Sequence, residues 1–245
     1  FPSAIPAWKL APALVAGNTV VLKPASSAPL SSWRLVEALV GAGVPAGVVN
    51  FVAGPGGVLG TALVEAAPVR AVSFTGSCAV GATLYDQAVR RRLRVQLEMG
   101  GKNPTVVLAD ANLDRAVDNT INGAFASTGQ KCTATSRVIV EEPVYERFVE
   151  RLVARTRALK VGPGMDPATD IGPAIDLDQL QTVLRYIDAG VKAGARLACG
   201  GRRLTDPPRD HGCFVEPTIF TDVAETMTIM QEEIFGPVLA VMRAR

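Results

Sequence analysis

Histidine is nearly missing from this chain: His211 is the single one among 245 residues. It sits in Pro207-Pro208-Arg209-Asp210-His211-Gly212, a polar, proline-containing stretch that reads as a solvated loop. With that imidazole in solvent, neither a Ser–His nor a Cys–His pair is available. A general base then has to be a carboxylate or a lysine. A surplus of charge is missing too. Lys and Arg number 25 against 23 Asp and Glu, a net +2. That balance gives no reason to expect nucleic acid or an anionic membrane as a partner. The one dense basic run, Arg90-Arg91-Arg92-Leu93-Arg94, follows a helical pattern and reads as a solvated helix end, its cations complementing the helix dipole.

No apolar run approaches the roughly 18–20 residues of a membrane span. The four cysteines, Cys78, Cys132, Cys199 and Cys213, form no C-x-x-C pair and fit no zinc spacing. Reduced thiols in a cytoplasmic setting are therefore expected, and a metal site is not. A Walker A loop is absent, because Gly101-Lys102 runs on into Asn103 and lacks the upstream glycine. The start has neither Met nor a basic region followed by an apolar stretch, and residues 240–245 leave straight out of an apolar run. The expectation is an internal fragment of a longer protein, with no signal peptide. What is present is an ordinary globular composition, 48% hydrophobic and 20% charged, in a chain long enough for one large domain or two modest ones.

Short apolar runs alternate with helical spacing. Strands are expected at 19–22, 48–52, 71–74 and 94–98, and helices at 31–42, 58–66 and 77–91. Strand-helix-strand order with helices of this length implies parallel βαβ units in an open, doubly wound sheet. Ligands bind beyond the carboxyl ends of such strands, where Lys23, residues 54–57 and residues 75–77 all fall. After Gly100-Gly101 a second α/β unit begins, with strands at 105–108 and 137–140. Its helices are expected at 113–128, 144–159 and 177–193, its loops at 162–169 and 202–212. The domain boundary is placed near Gly100, with no internal repeats.

Glu98 ends a strand in Val95-Gln96-Leu97-Glu98-Met99-Gly100-Gly101. Apolar neighbours would desolvate it and raise its pKa toward that of a working base, although the same residue serves equally as a solvated strand end. Cys132, in Thr128-Gly129-Gln130-Lys131-Cys132-Thr133-Ala134, lies past a turn, beside a lysine and near a possible helix start. That setting lowers a thiol pKa. Cys199 reads as a core thiol, and Cys78, in a first helical turn, as packing. The glycine turns at 54–57 and 76–77 could cradle a pyrophosphate at helix N-termini, though neither is a full G-x-G-x-x-G. Lys23 could meet ribose hydroxyls or phosphate, and by itself reads as a surface lysine.

Taken together these segments are more specific than any one of them. Trp8-Lys9, Pro12-Ala13-Leu14 and Gly17-Asn18-Thr19-Val20-Val21-Leu22-Lys23-Pro24 resemble the aldehyde dehydrogenase family. So do Phe74-Thr75-Gly76-Ser77 with Gly81, Leu97-Glu98 with Gly100-Gly101-Lys102, Gly129-Gln130 with Cys132, and Glu232-Glu233-Ile234-Phe235-Gly236-Pro237. The resemblance runs from Phe1 to the end. It implies an α/β fold: residues 1–100 as the C-terminal part of a Rossmann-type dinucleotide-binding domain and 101–245 as the N-terminal part of the thiol-bearing catalytic domain, both incomplete. It implies Cys132 as nucleophile and Glu98 as the base that activates water. NAD or NADP would be held by Lys23 and Glu233 at the riboses, Phe235 near the nicotinamide ribose, Gly76, Ser77 and Gly81 around the pyrophosphate, and Gly56 near the adenosine end.

The resemblance further implies a small aldehyde as substrate, no nucleic acid or membrane partner, a cytoplasmic location and a homodimer or homotetramer. The family's oxyanion-hole asparagine would precede Phe1, leaving the Cys132 backbone N–H as the other donor. Residues 130–137 and 1–8 look most like bacterial alpha-ketoglutaric semialdehyde dehydrogenases, whose substrates bear a carboxylate. Three rivals stand beside this reading. A CoA-acylating relative would have no need of Glu98. A non-catalytic relative would have no need of Cys132 and Glu98 together. A cysteine hydrolase would leave Lys23 and residues 232–237 without a role.

One departure generates a prediction. The family usually places an acidic residue three after the cofactor lysine, where it repels a 2′-phosphate; here that position is Ser26. NADP should therefore be accepted. Initial rates with both dinucleotides on the full-length protein check this, and an NADP/NAD specificity ratio far below one would refute it.

Overall fold

A computed structural model describes all residues, 1–245, as two compact units, Phe1–Gly100 and Gly101–Arg245. In the first unit the order is α1 (Ala4–Val15), β1 (Val20–Leu22), α2 (Pro29–Gly41), β2 (Val49–Phe51), α3 (Gly56–Glu65), β3 (Ala71–Gly76), α4 (Cys78–Arg90) and β4 (Arg94–Met99). Each strand expected at 19–22, 48–52, 71–74 and 94–98 is present. They do not form one open sheet. β1 pairs with β2 and β3 with β4, both in parallel, as two separate two-stranded sheets. Periodicity tells which residues are extended but not which edges pair. The buried cluster here is small: Val64, Leu84 and Ala88, with Val72, Phe74, Leu93 and Val95 packed on it.

Helix α1 was not anticipated, and it contains two prolines, residues that normally interrupt a helix interior. Pro6 falls in the first turn, where its missing N–H costs nothing, and Pro12 is carried inside the helix. Helix α4 starts at a side-chain cap: Ser77 accepts a hydrogen bond from the Val80 N–H.

The second unit contains β5 (Asn103–Val107), α5 (Leu113–Phe125), β6 (Thr135–Glu141), α6 (Glu142–Arg157), α7 (Leu177–Lys192), β7 (Arg196–Cys199), β8 (Thr218–Thr221), α8 (Thr228–Gln231) and β9 (Val238–Ala244). Its five-stranded sheet has the order β5-β6-β9-β8-β7, parallel except where β7 runs against β8. Asn112 caps α5 and Asp176 caps α7 through their side chains. Strand β9 shows how both faces are buried. Leu239 and Val241 enter a cluster with Val117, Phe125, Tyr145, Phe148 and Leu152 of α5 and α6. Val238 and Ala240 enter a second cluster with Leu180, Val183 and Ile187 of α7 and Ile229 of α8. This period-two division is what a strand covered on both sides requires.

The sequence pattern carried α5 on to residue 128. The structure ends it at Phe125, because Ser127 and Thr128 turn into the left-handed region at φ 55° and 60°. Strands β7, β8 and β9 and the short α8 were not anticipated. β7, β8 and α8 span four residues apiece, too few to show a period, while β9 is apolar on both faces and shows no alternation until Met242. No helix is long and apolar enough to cross a membrane.

Phe148 is fully buried in the larger cluster. Phe148→Ala should destabilise the protein by roughly 3–5 kcal/mol, while the exposed Met165→Ala should stay within about 0.5 kcal/mol. Urea midpoints read both, and a small loss at Phe148 would contradict the packing described.

Candidate active site

In the first unit the candidate residues gather at the carboxyl ends of the strands. Lys23 follows β1 and is half-buried, its Nζ donating to the carbonyl oxygen of Pro24. Ser26 Oγ reaches the Gly54 carbonyl oxygen at 3.4 Å, tying the loop after β1 to the loop after β2. Gly56 opens α3, and nothing lies within 4 Å of where a Cβ would stand, so its backbone is accessible. Gly76 ends β3 directly before the Ser77 cap of α4. Gly81 has a different surrounding. It is buried, and an added Cβ would lie 2.4 Å from Met99 Sδ. It serves the close approach of α4 to β4.

Glu98 lies on β4 and is exposed: of the two surroundings the sequence left open, the structure shows the solvated strand end and not the desolvated base. The reason is strand alternation: Val95 and Leu97 turn inward, and Gln96 and Glu98 point the other way. Glu98 Oε1 accepts from Gln96 Nε2 at 2.6 Å, and Gln96 Oε1 accepts from Lys9 Nζ at 2.9 Å. The Lys9 ammonium also donates to Ser73 Oγ and to the Phe74 carbonyl. Burial lowers its pKa from the ordinary value, and the charge of Glu98 opposes that shift. Lys9 was quoted in a motif but given no role; its signal was hidden because α1 itself was not anticipated.

In the second unit the loop bearing Cys132 is built on an abrupt reversal. Gly129 follows the two left-handed residues at φ 67°. A Cβ there would lie 2.3 Å from the Gly236 carbonyl oxygen and 2.9 Å from that of Ala124, so only glycine fits. Thr128 Oγ1 donates to the Gly172 carbonyl at 3.1 Å, and the Ile175 N–H donates to Gln130 Oε1 at 2.9 Å. Asn103 Nδ2 donates to the carbonyls of Cys132, at 2.6 Å, and Ala134, at 3.1 Å. No helix starts after Cys132; a turn leads into β6, because Asn103 draws residues 132–134 toward β5. Cys132 is a free, exposed thiol, and Cys199 is buried as expected, its thiol pKa raised by desolvation.

Helix α7 holds the 232–236 segment with one face. Gln179, Val183 and Tyr186 follow the spacing of four and three that aligns side chains on a helix. Gln179 Nε2 donates to the carbonyls of Ile234 and Phe235, both at 2.9 Å. Val183 lies so close to Gly236 that a Cβ there would stand 2.3 Å from its Cγ2. Tyr186 OH donates to Glu232 Oε2 at 2.7 Å; desolvation first, then that bond, push the phenol up to about 12. Phe235 takes a left-handed φ of 56° and keeps its ring partly exposed. Glu233 Oε1 accepts from the Gly101 N–H at 3.4 Å. Gly101, Gly129, Lys131, Glu233, Phe235 and Gly236 line one pocket, so the thiol loop and the Glu233–Phe235 segment share it.

The profile of the Aldehyde dehydrogenase family matches residues 1–245. The chain is also 49% identical, over 99% of its length, to the alpha-ketoglutaric semialdehyde dehydrogenase of Bacillus subtilis (strain 168). It belongs to the aldehyde dehydrogenase family. Among solved structures, an NADP dependent enzyme from E. coli superposes at TM-score 0.95 with 40% identity, covering 100% of this chain and 50% of that one. Betaine aldehyde dehydrogenase from Staphylococcus aureus, in complex with NAD+, superposes at TM-score 0.95 with 36% identity, covering 97% and 47%. This aldehyde dehydrogenase chain spans about half the length of the relatives it matches, including 50% of the Bacillus subtilis protein.

Lys102, next in sequence to the pocket residue Gly101, is a buried cation to which the sequence assigned no role. Its Nζ is buried without a hydrogen-bond partner. Desolvation, then the charge of Arg137, bring its pKa from 10.5 down to about 8, against the opposing pull of Glu233 and Glu232. Between those values the unfolded chain holds a proton that the folded chain has shed, so folding stability rises with pH across this window. The gain is about 3 kcal/mol. Lys102→Met should remove that pH dependence and be the more stable protein at pH 7. Denaturant titrations from pH 7 to 11 compare the two, and parallel curves would refute the burial.

Proposed function

We propose that the full-length protein oxidises a small aldehyde to its carboxylic acid with NAD(P)+, using Cys132 as nucleophile and Glu98 as base. One observation carries this reading: a chain matched over its whole length by the family keeps a free, exposed thiol at Cys132 and a strand-end carboxylate at Glu98. The residues at the strand ends suit a dinucleotide. The backbone around Gly56 and Gly57 is open at the start of α3, and Ser77 caps the start of α4, so two helix N-termini can face phosphate oxygens. Lys23 and Glu233 would hold ribose hydroxyls, with Phe235 beside the nicotinamide ribose and Gly81 letting α4 pack close.

When bound, NAD(P)+ supplies a hydride acceptor. Cys132 Sγ, as thiolate, adds to the aldehyde carbon, and its backbone N–H faces the oxyanion that forms. Loss of hydride from that carbon leaves a thioester on Cys132. Glu98 takes a proton from water, hydroxide adds to the acyl carbon, and the thiolate leaves with the acid released. Gln96, itself held by Lys9, orients the Glu98 carboxylate through the hydrogen bond they share. Glu98 favours hydrolysis over transfer to CoA. The Bacillus subtilis relative, with residues 1–8 and 130–137, supports a carboxylate-bearing semialdehyde as substrate. The named cofactors of the two solved relatives and Ser26 support acceptance of either dinucleotide. The four free cysteines support a reducing, cytoplasmic setting.

The test is absorbance at the reduced-nicotinamide band with succinic and alpha-ketoglutaric semialdehydes, using the full-length protein. Cys132→Ala should abolish reduction. Glu98→Gln should retain a burst of about one equivalent and lose on the order of 10²–10⁴ in turnover. CoA-dependent turnover would favour the acylating reading. A folded protein that binds dinucleotide and reduces none with any aldehyde would favour the non-catalytic one.

A further inference from the structure

We infer that Asn103 is a positioning residue for Cys132, an inference that rests on reading Cys132 as the nucleophile. Asn103 opens β5, two residues past the Gly100-Gly101 turn. Its side-chain amide has two N–H groups, and both are spent on the loop: one bond to the Cys132 carbonyl at 2.6 Å, one to the Ala134 carbonyl at 3.1 Å. Its backbone carbonyl accepts from Ser136 Oγ at 3.4 Å. One residue thus grips both ends of the turn between the thiol and β6.

The ladder is shaped for this grip. Asn103 pairs with Thr135, but Pro104 pairs with Arg137, so the register slips by one residue at Ser136. A bulge of this kind re-aims a side chain and is common beside active sites. Pro104 has no N–H to offer the ladder, which favours the slip at that place. Upstream of the thiol, the loop is fixed by Gly129 against Gly236, Thr128 on Gly172 and Gln130 on Ile175. From Lys131 to Ala134 the only side-chain hydrogen bonds to the backbone come from Asn103.

Fixing the Cys132 carbonyl fixes the plane of the Cys132–Thr133 peptide. That sets the torsion at Cys132 and, with it, the directions of Sγ and of the backbone N–H. The amide polarity is essential to the grip. An aspartate at 103 has the same shape but no donor, and it would set a carboxylate against two carbonyl oxygens.

The decisive experiment compares Asn103→Asp, Asn103→Ala and Asn103→Gln in the full-length protein. It measures kcat, the dinucleotide KM, thermal midpoint, and the pH–rate profile for alkylation of Cys132 by iodoacetamide, mapped by mass. The exposed Cys78 is the internal control. Expected for Asn103→Asp and Asn103→Ala is a fall in kcat on the order of ten- to a hundredfold. The dinucleotide KM and Cys78 alkylation should hold while the Cys132 profile changes, and Asn103→Gln should recover part of kcat. Folded Asn103→Asp with unchanged kcat and unchanged Cys132 alkylation overturns the inference. So does a loss that follows the thermal midpoint, spares the alkylation profile and is not relieved by Asn103→Gln. Failure of the parent reading shows separately, as aldehyde oxidation that survives Cys132→Ala. The alkylation profile still reports in that case whether Asn103 holds the loop.

Discussion

Everything distinctive about the second unit hangs on the approach of two backbones, Gly129 beneath the carbonyl of Gly236. A methyl group at Gly129 would stand 2.3 Å from that oxygen. The approach forces the left-handed reversal at 127–129, ends α5 and throws the next residues out toward solvent as the loop of Cys132. It also needs Gly236 itself to be bare, because Val183 presses from the other side. Helix α7 therefore acts on the thiol loop at one remove, through a segment that carries Glu233 and Phe235.

The same region tolerates electrostatic cost. Lys102 Nζ and Arg137 Nε are both buried without hydrogen-bond partners, while Arg137 also donates to the Met230 carbonyl at 3.1 Å. Two cations in one dry place repel, and removing them from water is expensive. Glu232 and Glu233 offset part of that cost at a distance, and Tyr186 keeps Glu232 in place. Buried groups of this kind cluster where a protein needs geometry more than stability.

How much of this was legible beforehand depended on what kind of physics encoded it. Repeating patterns were readable. The strands after Gly17 and Gly101, the amphipathic α6 and α7 and the glycine breaks all showed their periods. The roles proposed for Lys23, Glu98, Cys132 and Glu233 rest on motif order and resemblance, which no single local segment could have supplied. Contacts between distant residues were not readable. Asn103 reaches 29 residues to Cys132, and Gln179 reaches 55 residues to Ile234. Each looks in sequence like an ordinary polar residue at an element's start. Glu98 was placed on the right strand, but local sequence left its surroundings open between a desolvated base and a solvated strand end. Strand alternation decides for the second, since its neighbours' hydrophobicity faces the other side of the sheet. Helix α1, which accommodates two prolines, was not anticipated, and the partners of Lys9 were missed with it.

Strand β9 lies between β6 and β8, hydrogen-bonded to both, although about a hundred residues separate it from β6. During synthesis, β5 and β6 with their helices can assemble early, yet the side of β6 that will receive β9 must wait. Until residues 238–244 leave the ribosome, that sheet has an open parallel edge and the α7–α8 layer lacks the Val238 and Ala240 side chains it packs on. Such late, non-local closure makes folding slow and exposes an edge to wrong partners. The unit's central strand is thus also the strand whose arrival times its folding.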